Sequence, residues 1–335
     1  MNEKERLLKV LAGEKVDRQP VICPGGMMNA AVTELLNDVR INHNTNLDDM
    51  VATAIKVREI TGFENYGLPF CMTCEAEPFG VEISEGDIYC EPRIIKYNEA
   101  ELNDIMDKYR DNSSNMGRCK IVLQAIEKLK NNEIPVIGNI TGPISTATSI
   151  VDPLKLFKML RKNPDIAYEF IDYVNDYLIV YAKNMIAAGA DVVAISDPTA
   201  TGEILGRNNF EKFVMPMYRK FLSAMKKLDT PVIIHICGDA RKILESLNDL
   251  QVQALSFDSI VNMRFARVRL RTRLMGNVST LLLQNGPVDR IVSITENAMD
   301  SGVDIVSPAC GLGMSTPLKH LQAMTTYVKE SALCR

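Results

Sequence analysis

Short apolar runs rich in β-branched residues recur along the chain and alternate with longer stretches of helical period. Eight of these runs read as strands, at 21–23, 63–68, 136–140, 192–196, 232–236, 254–257, 274–278 and 304–307. Between them, helices are expected over 48–60, 118–130, 164–188, 210–227, 241–250 and 288–299. Asn163 before Pro164 has the form of an N-cap with proline at the first helical position, and the step Ala188, Gly189, Ala190 ends the same helix before the fourth strand. Strands of nearly continuous apolar character are buried on both faces, as parallel strands are. Eight of them joined by helical crossovers predict an α/β fold, a closed (β/α)8 TIM barrel, in preference to an open doubly wound sheet. Segment 1–20 reads as an N-terminal helical lead-in, and 79–95 as a short β insertion after the second strand. With no Pro/Gly/Ser linker and no low-complexity tract, residues 1–335 are expected to form one domain.

Composition narrows the class without naming a function. Apolar residues make up 46% and charged residues 24%, which excludes disordered, collagenous and disulfide-scaffold chains. The formal charge is −4 and no Lys/Arg block stands out, so neither nucleic acid nor a membrane surface is expected as a partner. The charged start and the lack of a long apolar run predict a cytoplasmic protein, where eight cysteines are thiols or metal ligands rather than disulfides.

A barrel carries its chemistry at the carboxyl ends of its strands, and the expected strands end in short polar clusters. His235 and Cys237 are the sharpest pair: positions i and i+2 of a strand share a face, close enough for imidazole and thiolate to meet one ion. Cys310, after the eighth strand, reaches the same mouth if the barrel closes. One histidine and two cysteines suit Zn²⁺ with a position left open, and the competing role is a hydrogen-bonded core histidine beside two small buried hydrophobes. Asn139, Asp197 and Asp258, at the ends of the third, fourth and sixth strands, are candidates to orient a substrate, although an aspartate there also caps helices. Gly26 allows close backbone approach and Met27 offers adaptable apolar surface after the first strand.

The remaining cysteines and histidines give weaker signals. Cys71 and Cys74 have the C-x2-C spacing of a zinc ribbon or redox pair, but no second pair follows. Cys23 could face the mouth, while Cys90, Cys119 and Cys334 read as structural. His43 and His320 lack local partners and are expected in solvent. No dinucleotide fingerprint, P-loop or Ser-His-Asp pattern is present.

Five segments carry a family resemblance: LLKVLAGEKVDRQPVICPGGMMN at 7–29, GNITGP at 138–143, ISDPTATGEIL at 195–205, HICGD at 235–239 and SPACGL at 307–312. Together they resemble the methylcobamide:coenzyme M methyltransferases of the uroporphyrinogen decarboxylase-like superfamily, over nearly the whole chain. The resemblance implies a (β/α)8 barrel with zinc bound through His235, Cys237 and Cys310. It implies transfer of a methyl group from a methyl-Co(III) corrinoid, on a partner corrinoid protein, to a thiol acceptor, coenzyme M. The superfamily's decarboxylases hold a polyanionic porphyrinogen with arginines after the first strand; CPGGMMN at 23–29 has none, which argues against decarboxylation. The same motifs are compatible with a tetrahydrofolate acceptor, with a methyltransferase that loads the corrinoid, and with a corrinoid-protein binding module without turnover.

Overall fold

The computed structural model describes residues 1–24, 42–86, 90–110, 116–313 and 315–331. Its strands are β1 (Tyr66–Leu68), β2 (Glu82–Ile83), β3 (Ile94–Lys96), β4 (Val136–Thr141), β5 (Val192–Ser196), β6 (Val232–Ile236), β7 (Ala254–Phe257), β8 (Arg273–Val278) and β9 (Ile305–Pro308). Seven of them form one parallel sheet in the order β1, β4, β5, β6, β7, β8, β9. Every residue of β4, β5, β6 and β7 is buried, which is why these strands read as nearly continuous apolar runs.

Segment 20–23 closes this sheet into a barrel. Val21 pairs with Val306 of β9, flanked by Ile22 N–H to Val306 C=O at 3.0 Å and Val306 N–H to Pro20 C=O at 2.9 Å. On its other side Glu64 N–H donates to Val21 C=O at 2.9 Å. The next rung is a side chain: Asn65 Oδ1 accepts from Cys23 N–H and its Nδ2 donates to Cys23 C=O, both at 2.9 Å. The expected first strand thus shrinks to one bridge, because Pro20 and Pro24 remove the flanking N–H donors.

The lead-in forms a helix, Glu3–Ala12, started by the Asn2 side chain and stopped at Gly13, whose φ of 85° suits glycine. Buried charge ties it to the barrel. Arg6 bonds Asp17 at 2.7 Å and Glu64 at 3.2 Å, and Glu64, 1% exposed, also receives Arg18 and the Val21 N–H. The expected insertion is the antiparallel pair β2–β3.

Helix Pro164–Ala188 matches its expected bounds, and Leu47–Thr61, Cys119–Leu129 and Val288–Asp300 lie within one residue of theirs. Two other segments depart from expectation. Helix 210–227 begins with a wide i→i+5 turn at Phe210–Val214 before Met215–Lys226, where Pro216 offers no N–H to continue a regular ladder. Segment 241–250 splits into a tight turn, Ala240–Lys242, held by the Asp239 side chain on Arg241 N–H, and a short helix, Leu244–Leu247. Among the described residues no helix is long and apolar enough to cross a membrane.

Candidate metal centre

His235 lies next to last in β6, and the strand carries Cys237 out on the same face two residues later. Gly238 then turns the chain at φ 66°, where a β-carbon would stand 2.6 Å from Glu203 Oε2. Cys310 follows β9 by two residues. The barrel brings the three side chains together: His235 Nε2 is 3.1 Å from Cys237 Sγ, which is 3.1 Å from Cys310 Sγ.

The other ring nitrogen of His235 is also engaged. Ser256 is its register partner on β7, and Ser256 Oγ lies 3.0 Å from His235 Nδ1. This contact fixes the ring with Nε2 toward the two sulfurs. His235 is 4% exposed. Hydrogen bonding from the Cys237 thiol holds Cys310 down to about 4 against the opposing effect of burial, with His235 adding to the shift. The same bond and burial push the Cys237 thiol up.

One ligand atom from each of the three residues lies within 4.8 Å of the other two. Bonds of ~2.0–2.3 Å from one ion can span such a cluster, and an imidazole nitrogen with two sulfurs suits zinc rather than magnesium or calcium. The residues therefore fit a single zinc ion, and as a trio they leave one tetrahedral position to an outside ligand.

The other expected site residues take distinct positions. Asp258, just past β7, accepts from Ile260 N–H at 3.1 Å and from Gly238 N–H at 3.4 Å, which sets a carboxylate beside Cys237. Asp197 is fully buried and caps the helix Pro143–Ile150, which follows the neighbouring strand rather than its own. Its oxygens accept from Ser145 N–H at 2.8 Å, Ser145 Oγ at 2.6 Å, Ile144 N–H at 3.3 Å and Tyr218 Oη at 3.2 Å. Burial raises its pKa, and these bonds oppose the rise. Asn139, fully buried on β4, accepts from Ser196 Oγ at 3.1 Å, while its Nδ2 has no hydrogen-bond partner among the described residues. Gly26 and Met27 lie outside the described residues.

Both histidines expected in solvent are packed. His320 is 7% exposed with Nδ1 2.8 Å from Leu283 C=O, because the apolar face of the last helix carries it inward. His43 stands edge-on to Phe70 at 5.5 Å, with Nε2 3.1 Å from Asn44 Nδ2. Cys23 is 2% exposed, and Cys119, on the helix Cys119–Leu129, is buried. Ser256, Ser145 and Tyr218 escaped sequence reasoning because each acts across strand or helix neighbours that only the register reveals.

The chain matches the family model described as Uroporphyrinogen decarboxylase (URO-D) over residues 2–331. It is 32% identical to the methylcobamide:CoM methyltransferase MtbA of Methanosarcina acetivorans, across 98% of this chain and 97% of that one. Its likeness to the uroporphyrinogen decarboxylase of Synechocystis is 27% over only 76% of this chain and 73% of that enzyme. A solved methyltransferase from Methanosarcina mazei superposes with a TM-score of 0.88 at 29% identity, covering 99% of both chains. The chain is a methyltransferase that belongs to the uroporphyrinogen decarboxylase family and, within it, to the methylcobamide:CoM methyltransferases.

Proposed function

We propose that this enzyme moves a methyl group from a methyl-Co(III) corrinoid, presented by a small partner protein, to the thiol of coenzyme M, with zinc held by His235, Cys237 and Cys310. The observation that carries this is the convergence of one imidazole and two sulfurs at the strand ends, with their donor atoms within 4.8 Å. Zinc bound there supplies the positive charge that keeps an acceptor sulfur a thiolate at neutral pH. The protein's own residues hold the geometry. Ser256 orients His235, and Asp258 places negative charge beside Cys237. Asn139 offers a buried, unpaired amide N–H to the substrate. Asp197 fixes the helix that follows Asn139's strand, and Gly26 and Met27 are assigned to substrate binding on sequence grounds alone. The acceptor sulfur forms the new S–CH3 bond, the Co–C bond breaks with its electron pair on cobalt, and Co(I) remains. Seven described cysteines, all unpaired, agree with a reducing, cytoplasmic setting.

Metal analysis together with a methylcobalamin plus coenzyme M assay tests the assignment. About one zinc per chain is expected, with metal and activity both lost in Cys237→Ala and Cys310→Ala. Full methyl transfer by metal-free protein would overturn it.

A further inference from the structure

The C-x2-C pair that methyl transfer leaves without a task is a built feature of the fold. Cys71 and Cys74 lie in the stretch that leaves the carboxyl end of β1, 0% and 1% exposed, with their sulfurs 3.4 Å apart. Cys71 Sγ also accepts from Arg118 Nη1 at 3.3 Å and from the Thr73 hydroxyl at 3.6 Å. Arg118, 8% exposed, is held in that pose by Nη2 to Thr73 Oγ1 and Nε to Glu77 Oε2, both 2.9 Å.

A fixed, buried guanidinium beside one sulfur of a pair is the setting that turns a thiol into a thiolate nucleophile. The hydrogen bond from the Cys74 thiol and the charge of Arg118 bring Cys71 down to about 5, although burial opposes the shift. Cys74 is pushed up, since its proton is held between the two sulfurs. The pair therefore has an attacking partner and a resolving partner already in contact.

We propose that Cys71 and Cys74 form a reversible dithiol–disulfide couple whose oxidant is a low-molecular-weight disulfide. The Cys71 thiolate attacks the reagent's S–S bond, forming a mixed disulfide and expelling one thiolate. Cys74 then gives its proton to that thiolate and attacks Cys71 Sγ, which forms the Cys71–Cys74 bond and releases the second thiolate. The two cysteines lose two electrons and the reagent gains them. The sulfurs must close from 3.4 Å to the ~2.0 Å of a disulfide, a movement within one short turn. Because both are buried, the rate follows local opening of the turn.

The turn is joined to the mouth. Glu75, the residue after Cys74, accepts from Thr141 N–H at 2.8 Å and Thr141 Oγ1 at 3.1 Å, and Thr141 ends the strand that carries Asn139. Oxidation removes the thiolate facing Arg118 and pulls on the chain next to Glu75. The disulfide form is therefore slower in methyl transfer, a consequence that rests on the function proposed above.

Zinc-loaded protein, with Cys90→Ser to simplify mapping, is equilibrated in graded bis(2-hydroxyethyl) disulfide and 2-mercaptoethanol, alkylated, and cleaved at methionine with cyanogen bromide. Fragments 51–72 and 73–106 are expected to be joined under oxidising conditions and to separate on reduction. In Cys74→Ser, Cys71 is expected to retain one mercaptoethanol adduct, formed about tenfold faster than any adduct at Cys74 in Cys71→Ser. Fragments that stay separate, with both thiols alkylated across the whole range, would overturn the couple, and this mapping decides even if the serine variants fail to fold. After removal of the reagents, the oxidised protein is expected to be about tenfold slower and to recover on reduction. Equal rates would overturn the link to the mouth. Absence of methyl transfer in both redox forms would overturn the proposed function and leave the mapped couple standing.

Discussion

His235 Nδ1 and Ser256 Oγ meet at 3.0 Å across the adjacent strands β6 and β7. An imidazole that binds a metal through one nitrogen needs its other nitrogen held, since that contact sets ring orientation and tautomer. Ser256→Ala is therefore expected to lower zinc affinity about 10–100-fold while the fold persists. Competition with a chelator measures this, and an unchanged affinity would count against the assigned role.

The bond pair from Asn65 to Cys23 predicts a stability effect far from any chemistry. Asn65→Leu leaves a buried N–H and a buried C=O without partners, a loss of about 2–4 kcal/mol. Urea unfolding reads it directly. A change under ~0.5 kcal/mol, the range of ordinary surface substitutions, would mean that the seam is held by other contacts.

Glu64 balances Arg6 and Arg18 while 1% exposed. Glu64→Ala strands buried guanidinium charge and the Val21 N–H, with an expected cost of about 3–5 kcal/mol. Lys96→Ala breaks a pair with Glu82 in which both side chains are well exposed and screened by solvent, and is expected to leave stability essentially unchanged. Thermal unfolding of the two variants side by side checks the contrast; similar shifts in both would refute it.

Burial raises Glu75 to about 7 from an ordinary 4.5. Between those values the folded state holds a proton that the unfolded chain has released, so this group makes stability fall as pH rises from about 4.5 to 7, by up to ~3 kcal/mol, and adds no slope above that range. Glu75→Gln is expected to flatten the fall. Urea titrations at pH 5 and 7.5 on both proteins test this, and equal pH dependence would exclude Glu75 as the source.

Much of the barrel was legible because strands buried on both faces are apolar at nearly every position, as at β5, β6 and β7, whose bounds match the expected ones. The convergence of His235, Cys237 and Cys310 was legible for a related reason: strand period puts the first two on one face, and closure brings in the third. What supports the trio was hidden. Ser256 is an unremarked serine in an apolar run until register sets it opposite His235. Sequence alone leaves Asp197 open between orienting a substrate and capping the helix after its own strand, whereas it caps the helix after β4, because neighbouring strand ends lie closer than the chain does to itself. His320 was misplaced in solvent because a carbonyl partner, Leu283, leaves no mark in local sequence.

The joint at Asn65 gives the barrel a mechanical asymmetry. Six of its seams are backbone ladders, distributed over several residues and insensitive to the identity of any one side chain. At Cys23 the ring is fastened like a clasp, by a single carboxamide that supplies both a donor and an acceptor. If the cylinder springs open anywhere, it does so there, and amide hydrogen exchange at Cys23 should report that opening before the staves on the far side respond.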